Sequence, residues 1–368
     1  MRQTAYTNGV IYTGTAVEKG KAILVKEGLV EGIIDGNNVP SGYQLEDLGG
    51  NNIAPSFIDL QIYGGKGELF SLALDVDSIL GTYEYCLEGG ASHFMITQAT
   101  NSIDDFLKGI AAVNEYWRRG YKGLLGLHME GPYLNPLKKG AHAERYIKIP
   151  ERAEVEMLLS AAKGAIKMMT VAPEVCSYEI IQLLQKEGVI VSAGHTNATY
   201  DEAMLGLTWG IPAATHLFNA MSPLQGRNSG MVGAAFDHDT VAASIICDGV
   251  HVDFSSVRIS KKIMKDRLFF ITDAVTEARG GEYQHYFKGD RFTLANGTLS
   301  GSAITMMKNI QNAVNQVGIS LEEAIRMCSL YPAKLLGEKA KLGSIAKGYK
   351  ASFTVFNEEL ETIRVITG

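Results

Sequence analysis

Val191-Ser192-Ala193-Gly194-His195-Thr196-Asn197-Ala198-Thr199 joins a short β-branched apolar run to a histidine and then to a helix start. Val189-Ile190-Val191 reads as a buried strand, Gly194 as the point where the backbone turns, and Thr199 as the cap of a helix beginning at Tyr200. His195 is thereby placed at the C-terminal edge of a strand. Pro212-Ala213-Ala214-Thr215-His216 repeats the arrangement, again with a histidine closing an apolar run. Two imidazoles at the same level of neighbouring parallel strands can share one metal ion.

On both sides of this stretch, apolar strand-like runs alternate with segments of helical spacing. The strand-like runs fall at 53–62, 92–97, 123–130, 165–171, 189–193, 212–216, 241–247 and 268–273. Helical composition marks 75–88, 103–119, 150–162, 178–187, 200–209, 254–265, 303–317 and 321–336. Eight parallel strands with interleaved helices predict an α/β fold of the (β/α)8 TIM-barrel type. After the sixth strand the expected helix is missing, because residues 221–233 are rich in Gly and Pro and read as a long loop.

The chain ends have a different texture. Residues 5–48 alternate short β runs with turns, and 350–356 and 361–366 read as two more strands. Neither end can hold a core alone, so the two are expected to form one small β-sandwich domain, 1–52 plus 345–368, beside a barrel over 53–344.

Composition narrows the function classes. With 46% apolar and 20% charged residues, the 368-residue chain has the make-up of a soluble globular protein. No window offers the roughly 18 uninterrupted apolar residues of a membrane span, and the N-terminus has no signal-peptide core, so a cytoplasmic location is expected. Cys86, Cys176, Cys247 and Cys328 are far apart and read as reduced thiols, not as staples or a zinc ribbon. A net charge of −6 without a basic block argues against nucleic acid and anionic membranes as partners. There is no GxSxG, Walker loop, CxxC or GxGxxG between strand and helix.

In a barrel, polar residues at strand C-termini gather on the face that carries chemistry. Those ends supply Gln61 and Tyr63, Glu130, His195, His216, Asp248 and His251, and Asp273. Glu130, His195 and His216 form a set of one carboxylate and two imidazoles, suited to Zn²⁺, Fe²⁺ or another first-row divalent ion. Asp273, at the tip of an otherwise apolar run, is suited to proton transfer beside such a site. Each residue also has an ordinary structural use: a core histidine, a solvated strand end, a helix cap. Their coincidence at one rim favours function. His128, two residues before Glu130, points to the same side of its strand and reads as a structural histidine of the barrel interior.

Several motifs now align with one family. GLHMEGPYLN at 126–135, KKGAH at 138–142, SAGHTNA at 192–198, ATHLFNAM at 214–221, GR at 226–227, DGVHVD at 248–253, ITDA at 271–274 and GTLSGS at 297–302 follow in order. In these motifs the chain resembles the N-acetylglucosamine-6-phosphate deacetylase family of the amidohydrolase superfamily. The resemblance implies hydrolysis of the acetamide of N-acetyl-D-glucosamine 6-phosphate to D-glucosamine 6-phosphate and acetate, in amino-sugar catabolism. It implies Glu130, His195 and His216 as ligands of one divalent metal ion per subunit, Zn²⁺ first. Asp273 is then the acid/base, and His142 donates to the acetamide carbonyl, with Ala141 contributing backbone.

The same resemblance gives Asn219 and Ala220 to the sugar or phosphate, and Leu299, Ser300 and Gly301 to closing the site. Arg227 and His251 are the cations suited to the phosphate, Arg227 being contributed across the interface of a homodimer. The ordinary alternatives are that Arg227 is a solvated loop residue and that Gly301-Ser302 ends a loop and caps a helix. One departure stands out. Many amidohydrolases carry His-x-His after the first strand and bind two metals, and some members of this family carry Gln-x-Asn. Here Gln61 and Tyr63 occupy those positions, and neither is a good ligand for a second ion. Two rival functions remain: deacetylation of the galactosamine 6-phosphate epimer, and a non-catalytic sugar-phosphate sensor.

Overall fold

A computed structural model describes residues 3–337 and 341–368. The chain divides into two compact units, Met1–Asp59 with Cys86–His93 and Thr305–Gly368 in one, and Leu60–Tyr85 with Phe94–Ile304 in the other.

The first unit carries two sheets. One has four strands in the order Leu29–Asp35, Lys21–Lys26, Gln3–Thr7, Gln44–Asp47. The other has five, in the order Thr362–Ile366, Phe353–Phe356, Asn52–Pro55, Val10–Tyr12, Val17–Glu18. Phe353–Phe356 runs antiparallel to Asn52–Pro55 with Val355 opposite Ile53, so the C-terminal strands complete an N-terminal sheet. Tyr6, Ile23, Val25 and Val30 of one sheet share a core with Ile11, Ile53, Phe353 and Val355 of the other. This is the expected sandwich built from both ends.

Residues 53–62, read from sequence as one strand, are two. Asn52–Pro55 belongs to the five-stranded sheet, and a new strand starts at Phe57. The backbone changes partner between them: Ser56 N–H donates to the Ser352 carbonyl at 2.9 Å and Phe57 N–H to that of Gly90 at 3.1 Å. The break falls at Pro55-Ser56, where proline withholds a ladder donor, a mark that the flanking apolar residues outweigh when the run is read as one strand.

The eight-stranded sheet comprises β1 (Phe57–Ile62), β2 (Ala91–Ala99), β3 (Leu124–Glu130), β4 (Ile166–Val171), β5 (Ile190–Ala193), β6 (Ala213–Ala214), β7 (Ala242–Ile245) and β8 (Leu268–Phe270), hydrogen-bonded in chain order. Helices α1 (Val76–Glu88), α2 (Ile103–Arg118), α3 (Arg152–Ala162), α4 (Tyr178–Lys186), α5 (Tyr200–Thr208), α6 (Gly230–Asp237) and α7 (Phe254–Met264) alternate with the strands. Beyond the strand ends the ring is closed by Asp273 N–H on the Gln61 carbonyl and Tyr63 N–H on that of Ala274, both at 2.9 Å. The fold is therefore the expected TIM barrel.

Helix α6 corrects the expectation of a loop over 221–233. Its first six residues, Gly230 to Ala235, are all buried. A helix apolar on every side has no amphipathic period to read. Helix α5 starts as expected, with Thr199 and Glu202 exchanging side-chain-to-backbone bonds in a capping box.

Inside the barrel a polar layer crosses from strand to strand. His128 bonds the Leu60 carbonyl at 3.1 Å and Thr170 Oγ1 at 2.7 Å, and Thr215 Oγ1 meets Thr170 at 2.8 Å and Ser192 at 2.6 Å. Burial pushes the His128 imidazole down to about 4, so it stays neutral, as suits a structural residue. None of the four cysteines forms a disulfide, and all are buried. Among the described residues no helix is long and apolar enough to cross a membrane.

Candidate metal centre and its cavity

The turn after β5 is made by His195 itself, not by Gly194. His195 has φ of +48°, His216 +36° and Asp273 +54°, a left-handed region that non-glycine residues rarely occupy. Gly194 is needed for a different reason: a Cβ there would lie 2.8 Å from Thr170 Cγ2 and 2.9 Å from Thr215 Cβ. Phe218 at +78° and Ala220 at +47°, in the loop that follows His216, share this region, and backbone strain of this kind gathers at functional sites.

Three strands bring the predicted ligands together. Glu130 ends β3, and His195 and His216 follow β5 and β6 by two residues. Glu130 Oε1 lies 3.2 Å from His195 Nε2 and 3.0 Å from His216 Nε2, and the two nitrogens are 3.2 Å apart. Ligands about 2.0–2.1 Å from a tetrahedral ion stand roughly 3.3 Å from one another. The triad therefore has the spacing of a facial ligand set, and it is a buried carboxylate-and-histidine cluster of that kind.

Protonation supports the fit. His195 Nδ1–H donates to the Lys138 carbonyl at 2.8 Å, which leaves the Nε2 lone pair facing the cluster. Burial works to raise the Glu130 carboxyl, but the imidazoles of His195 and His142 outweigh it and hold it well below the usual range. Burial beside His142 pushes His195 down. Burial acts the same way on His216, yet its bond to Glu130 and that carboxylate's charge pull it up. An ionised, buried carboxylate with two ring nitrogens beside it attracts positive charge. A divalent cation satisfies that attraction without protonating either ring.

Asp273 has the opposite character. Burial raises its carboxyl, His216 offsets part of this, and Glu130 adds to it. Its Oδ1 is buried with no hydrogen-bond partner among the described residues. A carboxyl group so placed is suited to taking up and giving back a proton.

These residues open into a cavity of about 370 Å³, within the size range of small-molecule sites. Of the expected residues, Ala141, His142, Asn219, Ala220, His251, Leu299, Ser300 and Gly301 line it with the triad and Asp273. Thr100 N–H donates to His142 Nδ1 at 3.2 Å, so Nε2 carries the proton and donates to Glu130 Oε2 at 3.0 Å. His251 Nδ1 and backbone N–H both bond Asp248, at 2.6 and 2.8 Å, which fixes the ring. Arg227 stands apart, on a shallow hollow with Thr199, Tyr200 and Asn228.

The cavity also takes residues that sequence reasoning missed. Lys138, Tyr283 and His285 line it. Tyr283 O–H donates to the Thr100 carbonyl, and His285 Nδ1 lies 2.8 Å from Ser300 Oγ. Burial pushes His285 down to about 4, so it is neutral. Tyr283 and His285 come from an aperiodic segment after β8 that folds into a three-stranded antiparallel sheet, Tyr286–Phe287, Arg291–Thr293 and Leu299–Ser302. Nothing in its spacing places it over the barrel rim.

Comparison with known proteins agrees with this geometry. Residues 52–367 match the Amidohydrolase family and residues 5–53 the NagA composite domain. N-acetylglucosamine-6-phosphate deacetylase of Haemophilus influenzae is 38% identical, over 98% of this chain and 97% of that protein. N-acetylgalactosamine-6-phosphate deacetylase of Escherichia coli O157:H7 is 27% identical, over 95% and 97%. The crystal structure of N-acetylglucosamine-6-phosphate deacetylase from Pasteurella multocida superposes with a TM-score of 0.95 at 38% identity, covering 99% of this chain and 98% of that one. With its buried Glu-His-His cluster at the rim of the barrel, the chain belongs to the amidohydrolase family and, within it, to the N-acetylglucosamine-6-phosphate deacetylases.

Proposed function

We infer that the protein hydrolyses the acetamide of N-acetyl-D-glucosamine 6-phosphate to D-glucosamine 6-phosphate and acetate, a step of amino-sugar metabolism. The observation that carries this is the convergence of Glu130 Oε1, His195 Nε2 and His216 Nε2 in the same cavity as Asp273. These three residues would hold one divalent ion. Zn²⁺ is the first choice for such donors, with Fe²⁺ or another first-row ion as the alternative. When bound, an ion of this kind acidifies water and polarises a carbonyl.

The protein's own groups do the rest. Asp273 takes the proton from the attacking water as the C–O bond forms, and returns it to the amine nitrogen as the C–N bond breaks. Its raised pKa suits both tasks. His142 Nε2–H, which rests on Glu130 Oε2 while Thr100 holds the ring from behind, would turn from that carboxylate to the carbonyl oxygen of bound substrate and stabilise its charge. Ala141, Asn219, Ala220, Leu299, Ser300 and Gly301 would orient the sugar, and His251 would meet the phosphate.

A homodimer in which Arg227 serves the neighbouring subunit's phosphate is part of this proposal. Its support is that Arg227 lies outside its own chain's cavity. A cytoplasmic location fits a phosphorylated substrate and four buried cysteines without a disulfide.

The deciding experiment measures acetate release from both N-acetylated epimers by metal-loaded protein. Faster turnover of the glucosamine epimer is expected. A preference for the galactosamine epimer would transfer the assignment to that reaction, and binding without acetate release from either would replace it with a sugar-phosphate sensor.

A further inference from the structure

We propose that Tyr63 is a positioning residue for Glu130, its hydroxyl holding Oε2 so that Oε1 alone faces His195 and His216. The proposal rests on the assignment of this triad as a metal site.

Tyr63 itself is fixed. Its N–H donates to the Ala274 carbonyl and its own carbonyl accepts from Phe70 N–H, each at 2.9 Å, and the residue is buried on the cavity wall. Its hydroxyl donates to Glu130 Oε2. Gln61 decides the direction of that bond. Gln61 Nε2 lies 3.1 Å from the Tyr63 hydroxyl oxygen and 3.0 Å from Glu130 Oε1, and an amide nitrogen only donates. With its oxygen accepting from Gln61, the phenol turns its single hydrogen to the carboxylate.

The two oxygens of Glu130 therefore do different work. Oε2 accepts from Tyr63 and from His142 Nε2–H, whereas Oε1 accepts only from Gln61 Nε2 at 3.0 Å on the side of the phenol and lies within 3.2 Å of both ligand nitrogens. With two donors on Oε2 and one on Oε1, the lone pair left for a cation is the one that Oε1 turns to the histidines. A phenylalanine would fill the same volume without that hydrogen, which separates positioning from simple packing.

The test compares wild type with Tyr63→Phe for Zn²⁺ affinity by chelator competition and for the visible spectrum of the Co²⁺-loaded protein. Wild type should bind one equivalent. Tyr63→Phe should bind one equivalent 10–100-fold more weakly, the range for loss of an outer-sphere partner. Its Co²⁺ bands should shift and weaken as the second carboxylate oxygen joins the ion. Unchanged affinity and an unchanged spectrum overturn the proposal. Should Tyr63→Phe fail to fold, 3-fluorotyrosine at position 63 keeps the side chain's shape and makes its hydroxyl a stronger donor: shifted Co²⁺ bands support the proposal, and wild-type bands overturn it. If wild type itself takes up no metal, the metal assignment fails and the proposal with it. If wild type binds, only the comparison with the variants judges Tyr63.

Discussion

His195 Nε2 and His216 Nε2 lie 3.2 Å apart although 21 positions separate them in the chain. Two imidazole lone pairs at that distance repel unless a positive charge lies between them. The carboxylate of Glu130, close to both, supplies the attraction for that charge.

Metal binding should therefore be measurable as stability. A ligand of the native state at about 100 times its Kd adds about 2.7 kcal/mol, so Zn²⁺ should raise the melting temperature and a chelator should reverse the rise along with activity. His216→Ala should remove the metal-dependent part of the shift. A wild-type melting curve indifferent to every divalent ion would sink the metal assignment.

Asp273→Asn should keep its metal and lose turnover by about 10²–10⁴-fold, the usual worth of a positioned acid/base. The base form of Asp273 is the carboxylate, and its pKa is raised. Activity should accordingly fall as pH falls and Asp273 takes up its proton, and Asp273→Asn should lack that limb. The sign for stability is the reverse. A carboxyl whose folded pKa is raised contributes stability below its unfolded pKa and loses it as pH rises through the folded one. Metal-free Asp273→Asn should hence melt higher than metal-free wild type at pH 7, and an equal or lower melting point would contradict that environment.

Gly194→Ala places a methyl group 2.8 Å from Thr170 Cγ2 and 2.9 Å from Thr215 Cβ, both within the polar layer beneath the site. Overpacking of this kind costs about 1–3 kcal/mol. The variant should melt lower and bind metal less tightly, because the residue displaced next is His195. Wild-type melting and affinity would show that the layer yields freely.

Arg227→Ala should raise KM for the phosphorylated sugar by ~10-fold or more, the scale of one lost charge-assisted contact, with kcat little changed. Sedimentation of the wild type should give a dimer. A monomer with full activity, indifferent to the substitution, would return Arg227 to the solvent.

The barrel was legible because its strands and helices repeat a local alternation, and a buried parallel strand is an apolar run wherever it lies. Glu130, His195, His216 and Asp273 were legible because each interrupts such a run at its end. Helix α6 was hidden because its first six residues are all buried and show no amphipathic period, whereas the break at Ser56 is marked by Pro55 and was masked only by the apolar residues on either side. Lys138, Tyr283 and His285 were hidden because they reach the cavity from segments without a period.

Local patterning alone determined the strand count, the ends that pair and the candidate ligands, since these depend only on which side chains avoid water. Tertiary structure decided what no spacing encodes. It turned one oxygen of Glu130 to the histidines and the other to Tyr63 and His142. It also set Arg227 outside its own cavity. The physical reason is that hydrogen bonds and ligand sets act over about 3 Å between atoms, and only the closed barrel brings residues from separate strands within that reach.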